Sequence, residues 1–397
     1  MKMSKFIIHD LEVMPNAFIA GFKPLNKPVI IFEVSSRMNQ LEEMIDFITE
    51  NFDKFFVGYN CDGYDEPILR AIVQKWHEGA CTEWYEPMMW MEITDFIKKK
   101  SDEIIGQERI WHKPKDRLFA TIDLMTMLFS SALRVGLKPL QVSMCYPNVE
   151  EMNINWNDWV TNETLDTIIT YNHNDLGSTE YLLKMLKSDL SLRLGIKKNY
   201  EIECLSKDGV GVGVDIFTKY ICEDLGLQYP SHLKNFRKNL DVIYVKDLIL
   251  PHIHFKTSSF QKVLDDFKSM VLDESGTIVA FRGKRIIKGD GRGIKDKKSV
   301  EIIGTMGKMS HSFGLGGCHS CSVPSIFESD DEYDVIDCDV NSMYPSMSDS
   351  WSFGPAGFLE SFVKVIRRLK AERLEAKKNK DKVQDKTKKL ALNSILG

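Results

Sequence analysis

"KFIIHDLEV" (residues 5–13) decides the fold. Its apolar, β-branched run predicts a strand. The two acids, Asp10 and Glu12, sit two residues apart, so a pleated strand turns both carboxylates to one face. "NAFIAGF" and "PVIIFEV" follow as further β-rich runs, separated by Pro and Asn, and predict neighbouring strands. "MNQLEEMIDFITENFD" carries helical apolar spacing. "KFFVGYN" then predicts a strand feeding the helix "DEPILRAIVQKW". "NETLDTIITYNHNDLGSTEYLLKMLKSDLSLR" predicts a long helical region. This alternation predicts an α/β layer over roughly the first 190 residues.

Composition bounds the rest. At 397 residues the chain exceeds one ordinary core, so two or three domains are expected. Its 43% hydrophobic and 27% charged residues are those of a soluble globular protein. No apolar run approaches a bilayer span, and the start of the chain lacks a secretory cleavage pattern. Eight scattered cysteines suit a reducing compartment, so a cytoplasmic protein is expected. A net charge of −5 argues against a nucleic-acid coat, but residues 361–389 carry twelve Lys or Arg against four acids. That local +8 predicts either a phosphate-facing element or a solvated helical hairpin.

Paired carboxylates on one face attract a hard divalent cation. "GYNCDGYDEPIL" adds Asn60 and Asp65 at a strand-to-helix junction, and "YNHND" adds Tyr171 and Asp175, one helical turn apart. In order, D-x-E, N-x-x-x-Y-D and Y-x-x-x-D resemble the three exonuclease motifs of the DEDD superfamily, in the tyrosine-bearing subclass found in family B DNA polymerases. The resemblance implies an RNase H-like 3′–5′ exonuclease domain over 1–195. Asp10, Glu12, Asp65 and Asp175 would hold two Mg²⁺ or Mn²⁺ ions, Tyr171 would orient the attacking water, and Asn60 would contact DNA. Asp123, in "TIDLMTMLF", either caps a helix or lines the same cleft.

"DVIDCDVNSMYPS" predicts a strand ending near Asp339 and broken by Pro345. It resembles motif A of family B polymerases, with Met343 where Leu is usual. This implies that Asp339 holds the two catalytic ions of a palm, and that Tyr344 stacks beneath the incoming sugar. The preceding "FGLGGCHS" resembles a stretch found before motif A in phage members. "KLALNSILG", at the end, resembles motif B, which implies that Lys389 and Asn393 face an incoming dNTP, as do Arg373 and Lys377 on the preceding helix. Leu396 stands where the family has Tyr, and an ordinary glycine helix stop at Gly397 is the other reading of that segment.

Nothing resembles motif C or a thumb. The implied layout is α/β followed by α+β: the exonuclease domain, a connecting region at 196–300, a partial palm at 301–358 and fingers helices at 359–397. The expectation is the N-terminal part of a split, phage-like family B polymerase, proofreading alone and synthesising on a DNA primer–template only with a C-terminal partner chain. A free-standing exonuclease and a non-catalytic DNA-binding subunit are the alternatives. "CHSC" (318–321) is a single C-x-x-C without a second pair, which argues against zinc. "GVGVGVD" (209–215) lacks the context of a dinucleotide fingerprint.

Overall fold

The structure is a computed structural model that describes residues 5–78, 89–106, 117–129, 133–238, 241–285, 302–307, 309–314, 317–340 and 342–395. The chain divides into two units. One comprises residues 1–230, 344–353 and 360–397, and the other residues 231–343 and 354–359.

The first unit is built on β1 (Phe6–Met14), β2 (Ala17–Pro24), β3 (Ile30–Val34), α1 (Leu41–Glu50), β4 (Phe55–Gly58), α2 (Asp65–His77), α3 (Trp90–Gly106), β5 (Ala120–Asp123), α4 (Leu124–Leu128), α5 (Leu137–Ser143), α6 (Asn162–Met185), α7 (Lys187–Tyr200) and α8 (Gly209–Leu225). The strands form a mixed sheet in the order β3-β2-β1-β4-β5. β1 pairs antiparallel with β2, and β2 with β3, whereas β4 lies parallel to both β1 and β5. β1 is central, which explains its near-continuous apolar sequence: every residue is buried except Asp10, which is partly open. Ile7, Leu11 and Val13 pack with Leu41, Ile45, Ile68, Ile72 and Ile93 from α1, α2 and α3. Phe6 and Ile8 join Leu176, Leu182 and Leu183 of α6, and Met14 joins Leu165 and Ile168 of the same helix. Asp10 and Glu12 therefore lie on the α6 side.

One glycine sets how close α6 comes. Gly21 of β2 pairs with Asp10, and a Cβ there would meet Asn172 Oδ1 at 1.9 Å and Leu176 Cδ1 at 2.7 Å. Any larger residue forces the Asn172 and Leu176 side chains, or α6 with them, to give way.

The second unit contains β6 (Val242–Tyr244), α9 (Val245–Leu248), α10 (Ser258–Lys268), β7 (Val271–Asp273), β8 (Ile278–Phe281), β9 (Lys284–Arg285), β10 (Ile302–Met306), β11 (Met309–Gly314) and β12 (Gly317–Cys321). It forms two antiparallel sheets, β6-β7-β8-β9 and β10-β11-β12, around Val245, Val263, Met270, Leu272 and Ile302. The strand expected before Asp339 is not formed. Residues 332–340 pair with no strand among the described residues, and Val335, Ile336 and Val340 are 58%, 75% and 62% exposed. A β-rich sequence without a neighbour to take its N–H and C=O groups stays solvated.

The chain ends in α11 (Met343–Trp351), α12 (Leu359–Lys378) and α13 (Lys382–Ser394). Pro345 falls in the first turn of α11, where its missing N–H is harmless, instead of ending a strand. The first unit also runs past residue 195, and α13 packs on α7 and α8. "GVGVGVD" is the reason. It forms the first two turns of α8, and a Cβ on Gly213 would meet Leu390 O at 2.5 Å and Ser394 Oγ at 2.1 Å. The glycines admit a neighbouring helix, not a phosphate. Among the described residues, no helix is long and apolar enough to cross a membrane.

Candidate active site

Three segments bring acids to the α6 side of β1. The first supplies Asp10 and Glu12. Asn172, on α6, donates through Nδ2 to Asp10 Oδ2 at 2.9 Å and to Glu12 Oε1 at 3.4 Å, so the two carboxylates converge on one donor. The second is the start of α2. β1 and β4 pair only from Phe6 to Ile8, which leaves the Leu11 N–H without a strand partner on that side. Asp65, the first residue of α2, fills the notch and accepts that N–H through Oδ1 at 3.1 Å. The third is α6, which carries Tyr171 and Asp175 on the face of Asn172. Asp175 accepts hydrogen bonds from Lys138 Nζ and, at 3.1 Å, from Gln141 Nε2. Lys138 also lies 4.1 Å from the centre of the Tyr171 ring, where an ammonium is attracted by the π face.

Burial and mutual repulsion dominate the electrostatics. Burial first, then the charges of Glu12, Asp65 and Asp175, hold the Asp10 carboxyl well above its ordinary range. Burial and the nearby Asp175 push Glu12 up to about 8. Asp65 is raised to about 7, by burial and by Asp123. The Tyr171 hydroxyl is raised in the same way, by burial and then by Asp175. Such a group of acids calls for positive charge, and Lys138 supplies one unit of it.

Among the described residues, no three His, Cys, Asp or Glu side chains already stand in the geometry of a metal site. Donor chemistry nevertheless fits a hard divalent ion: the acids are oxygen ligands, and neutralising their repulsion is what such an ion does. Asp10, Glu12, Asp65 and Asp175 are the residues that would hold it.

The sequence pattern picks out those four and Tyr171, and misses Asn172, Lys138 and Gln141. Asn172 follows Tyr171 directly and was legible only as a neighbour of a motif. Lys138 and Gln141, one helical turn apart on the short α5, come from a loop-rich stretch without periodicity. Asn60 lies at the mouth of the loop between β4 and α2 with a left-handed backbone, φ +64°. Asp123 resolves toward the helix cap: its side chain accepts from Met125 N and Thr126 N.

The residues implied for nucleotide handling are placed differently. Asp339 lies exposed in the unpaired stretch of the second unit, whereas Tyr344 is half exposed on α11 in the first. Arg373 pairs with Asp385 at 2.9 Å across the α12–α13 hairpin. Lys377, Lys389 and Asn393 are exposed. Their neighbour Lys388 is buried instead, bonded to Tyr200 Oη and Gln384 Oε1, each at 2.6 Å, and 3.2 Å from Glu372. Much of the +8 block is likewise paired within the protein: Lys364 with Asp224, Arg367 and Lys370 with Asp349, and Arg368 with Glu223 and Glu372. Leu396 and Gly397 lie outside the described residues. Cys318 and Cys321 are exposed free thiols on β12.

No protein-family model matches the chain, and neither does any curated protein or solved structure.

Proposed function

We propose that this chain hydrolyses DNA from its 3′ end, as the proofreading part of a family B DNA polymerase. The observation that carries the reading is the convergence of Asp10 and Glu12, Asp65, and Asp175 from β1, α2 and α6. The sheet order, with three antiparallel strands followed by two parallel ones, also supports an RNase H-like layer. Divalent Mg²⁺ or Mn²⁺, when bound, supplies a water of lowered pKa and neutralises charge on the scissile phosphate. The protein's own residues do the rest. Asp10, Glu12, Asp65 and Asp175 would hold the ions, and Asn172 fixes Asp10 and Glu12 against each other. Tyr171 presents its hydroxyl to the attacking water, with its ring held beside Lys138. Asn60 meets the DNA strand.

Synthesis is proposed only where a segment bearing motif C and a thumb, in this polypeptide or in another, completes the palm. In the first unit, Tyr344, Lys377, Lys389 and Asn393 would line the dNTP site on a primer–template, and Asp339, in the second unit, is proposed separately as a metal ligand. The exposed apolar side chains at 335–340 support this, because a strand-like segment without a neighbour is suited to pairing with another chain. Arg373 could join that site only by releasing Asp385.

The test is a labelled single-stranded oligonucleotide incubated with purified protein and Mg²⁺. Shortening is expected, with loss of at least 10³-fold in the double variant Asp10→Ala, Glu12→Ala and little change in Asp339→Ala. Equal shortening by the double variant would refute the site.

A further inference from the structure

Asp123 makes more bonds than a helix cap needs. It is 0% exposed at the end of β5. Its Oδ1 accepts Met125 N at 2.9 Å and Thr126 N at 3.2 Å, which is ordinary N-capping of α4. The same oxygen also accepts Asn60 N at 3.0 Å, and Oδ2 accepts Asp62 N at 3.1 Å. Those two amides belong to another segment, the loop between β4 and α2. A serine or threonine would cap α4 equally well, but one short hydroxyl cannot also span to that loop. The carboxylate has two oxygens and uses both.

The loop needs holding. Asn60 has a left-handed backbone, φ +64°, a conformation that a non-glycine residue keeps only when its surroundings hold it. From Asn60 the bonding continues to α2: Gly63 N donates to Asn60 O at 3.1 Å, and Glu66 N to Cys61 O at 2.9 Å. Asp123 is itself fixed from behind, since its N–H donates to Ser206 Oγ at 3.0 Å, and that hydroxyl donates to Thr121 O at 3.1 Å.

We propose that Asp123 is a positioning residue for the hydrolytic site, holding the 60–63 turn so that Asn60 presents its side chain to the single-stranded DNA substrate. The inference rests on the hydrolytic reading above. It separates two loop functions. Asp65 has its own tie to β1 through Leu11 N, so its place does not depend on the turn. Asn60's remaining backbone bond, to Gly63, lies within the turn itself, and the Arg117–Asp62 ion pair at 2.6 Å anchors the turn at Asp62 and not at Asn60, so loosening the Asn60 end acts on substrate binding, not on the chemical step.

Asp123→Ser, which keeps the α4 cap and releases the loop, tests this. Hydrogen exchange followed by mass spectrometry is expected to speed up about tenfold in peptides covering 59–63, and to stay unchanged at 124–128. KM for a single-stranded oligonucleotide is expected to rise about tenfold, with kcat within threefold. Asn60→Ala is expected to raise KM similarly, and the double variant to add little further. Asp123→Asn sets its amide donor against Asp62 N and reads the same quantities if the serine variant does not fold. A wild-type protein that leaves the oligonucleotide intact overturns the hydrolytic reading and this inference with it. Wild-type hydrolysis together with unchanged KM and exchange in both variants, or fully additive effects with Asn60→Ala, overturns this inference alone.

Discussion

Asn172 donates one NH₂ group to two acids, and the burial of that pair, which the Asn172 bond opposes only in part at Glu12, makes the site sensitive to pH. Glu12 is raised to about 8, Asp65 to about 7, and Asp10 lies well above its usual range, each chiefly by burial. A carboxyl raised in the folded state binds its proton more tightly there than in the unfolded chain. Its stabilising contribution is full below the ordinary carboxylate range and disappears as pH rises through the folded value. His9, buried among Phe22, Phe56 and Phe119, acts in the opposite sense: burial lowers it to about 4, so it costs stability only as pH falls below its ordinary 6.5. Between pH 6.5 and 8.5 the carboxyls act alone. In EDTA, Tm is expected to fall by roughly 5 °C or more across that window. The fall should flatten in Asp10→Asn and be reversed by Mg²⁺. A Tm independent of pH in EDTA would mean that the acids do not share one buried site.

At the scale of elements, helix placement is set by contacts that a residue pattern only partly reveals. Gly21→Ala is expected to displace α6 from β2, cost about 1–3 kcal/mol from overpacking, and lower kcat at least tenfold by moving Asn172 and Asp175. Measured Tm and kcat would check it, and an unchanged kcat would show that α6 tolerates the shift. Lys388 offers the second case. Its ammonium ties α13 to Tyr200 of α7 and Glu372 of α12, and Tyr220 of α8 donates to Glu372 at 2.7 Å. Lys388→Ala is expected to cost about 1–3 kcal/mol, because Glu372 is only partly buried, whereas Lys389→Ala should stay within about 0.5 kcal/mol. Denaturant titration of both variants separates them, and equal effects would refute the distinction. These contacts also mark how far the sequence could be read. β1 with its two acids, the start of α2 at Asp65 and the long α6 were legible, because strand alternation and helical spacing are local. Lys138, Gln141 and the docking of α13 on α8 depend on segments far apart in the chain. The strand before Asp339 failed for the same reason: its β-rich residues do not carry the partner that would make it a strand.

Over the whole chain, the first unit is discontinuous and takes in helices far beyond residue 195. Residues 344–353 and 360–397 belong to the same unit as residues 1–230. α8 buries Val212, Ile216 and Phe217, and Phe217 meets Phe362 of α12 at a ring distance of 5.2 Å. α12 and α13 in turn bury Phe362, Val363, Val365, Ile366, Leu369, Ala391 and Leu392. At about 1.5–3 kcal/mol for each of the six large side chains, burial in these two helices is on the order of 10–20 kcal/mol as an upper bound. That rivals the whole stability of an ordinary domain, about 5–15 kcal/mol. A polypeptide of residues 1–230 is therefore expected to lack a cooperative thermal transition, to bind a hydrophobic dye through the uncovered face of α8, and to hydrolyse the oligonucleotide poorly, although it retains Asp10, Glu12, Asp65, Tyr171 and Asp175. Calorimetry, dye fluorescence and the shortening assay on the same preparation would check this. A monomeric 1–230 that melts cooperatively and shortens DNA at the full-length rate would show that α12 and α13 are an appendage and not part of the core. If the prediction holds, the helices whose sequence resembles a nucleotide-binding element also complete the fold that carries the four acids, and their loss would disable hydrolysis without touching one of its residues.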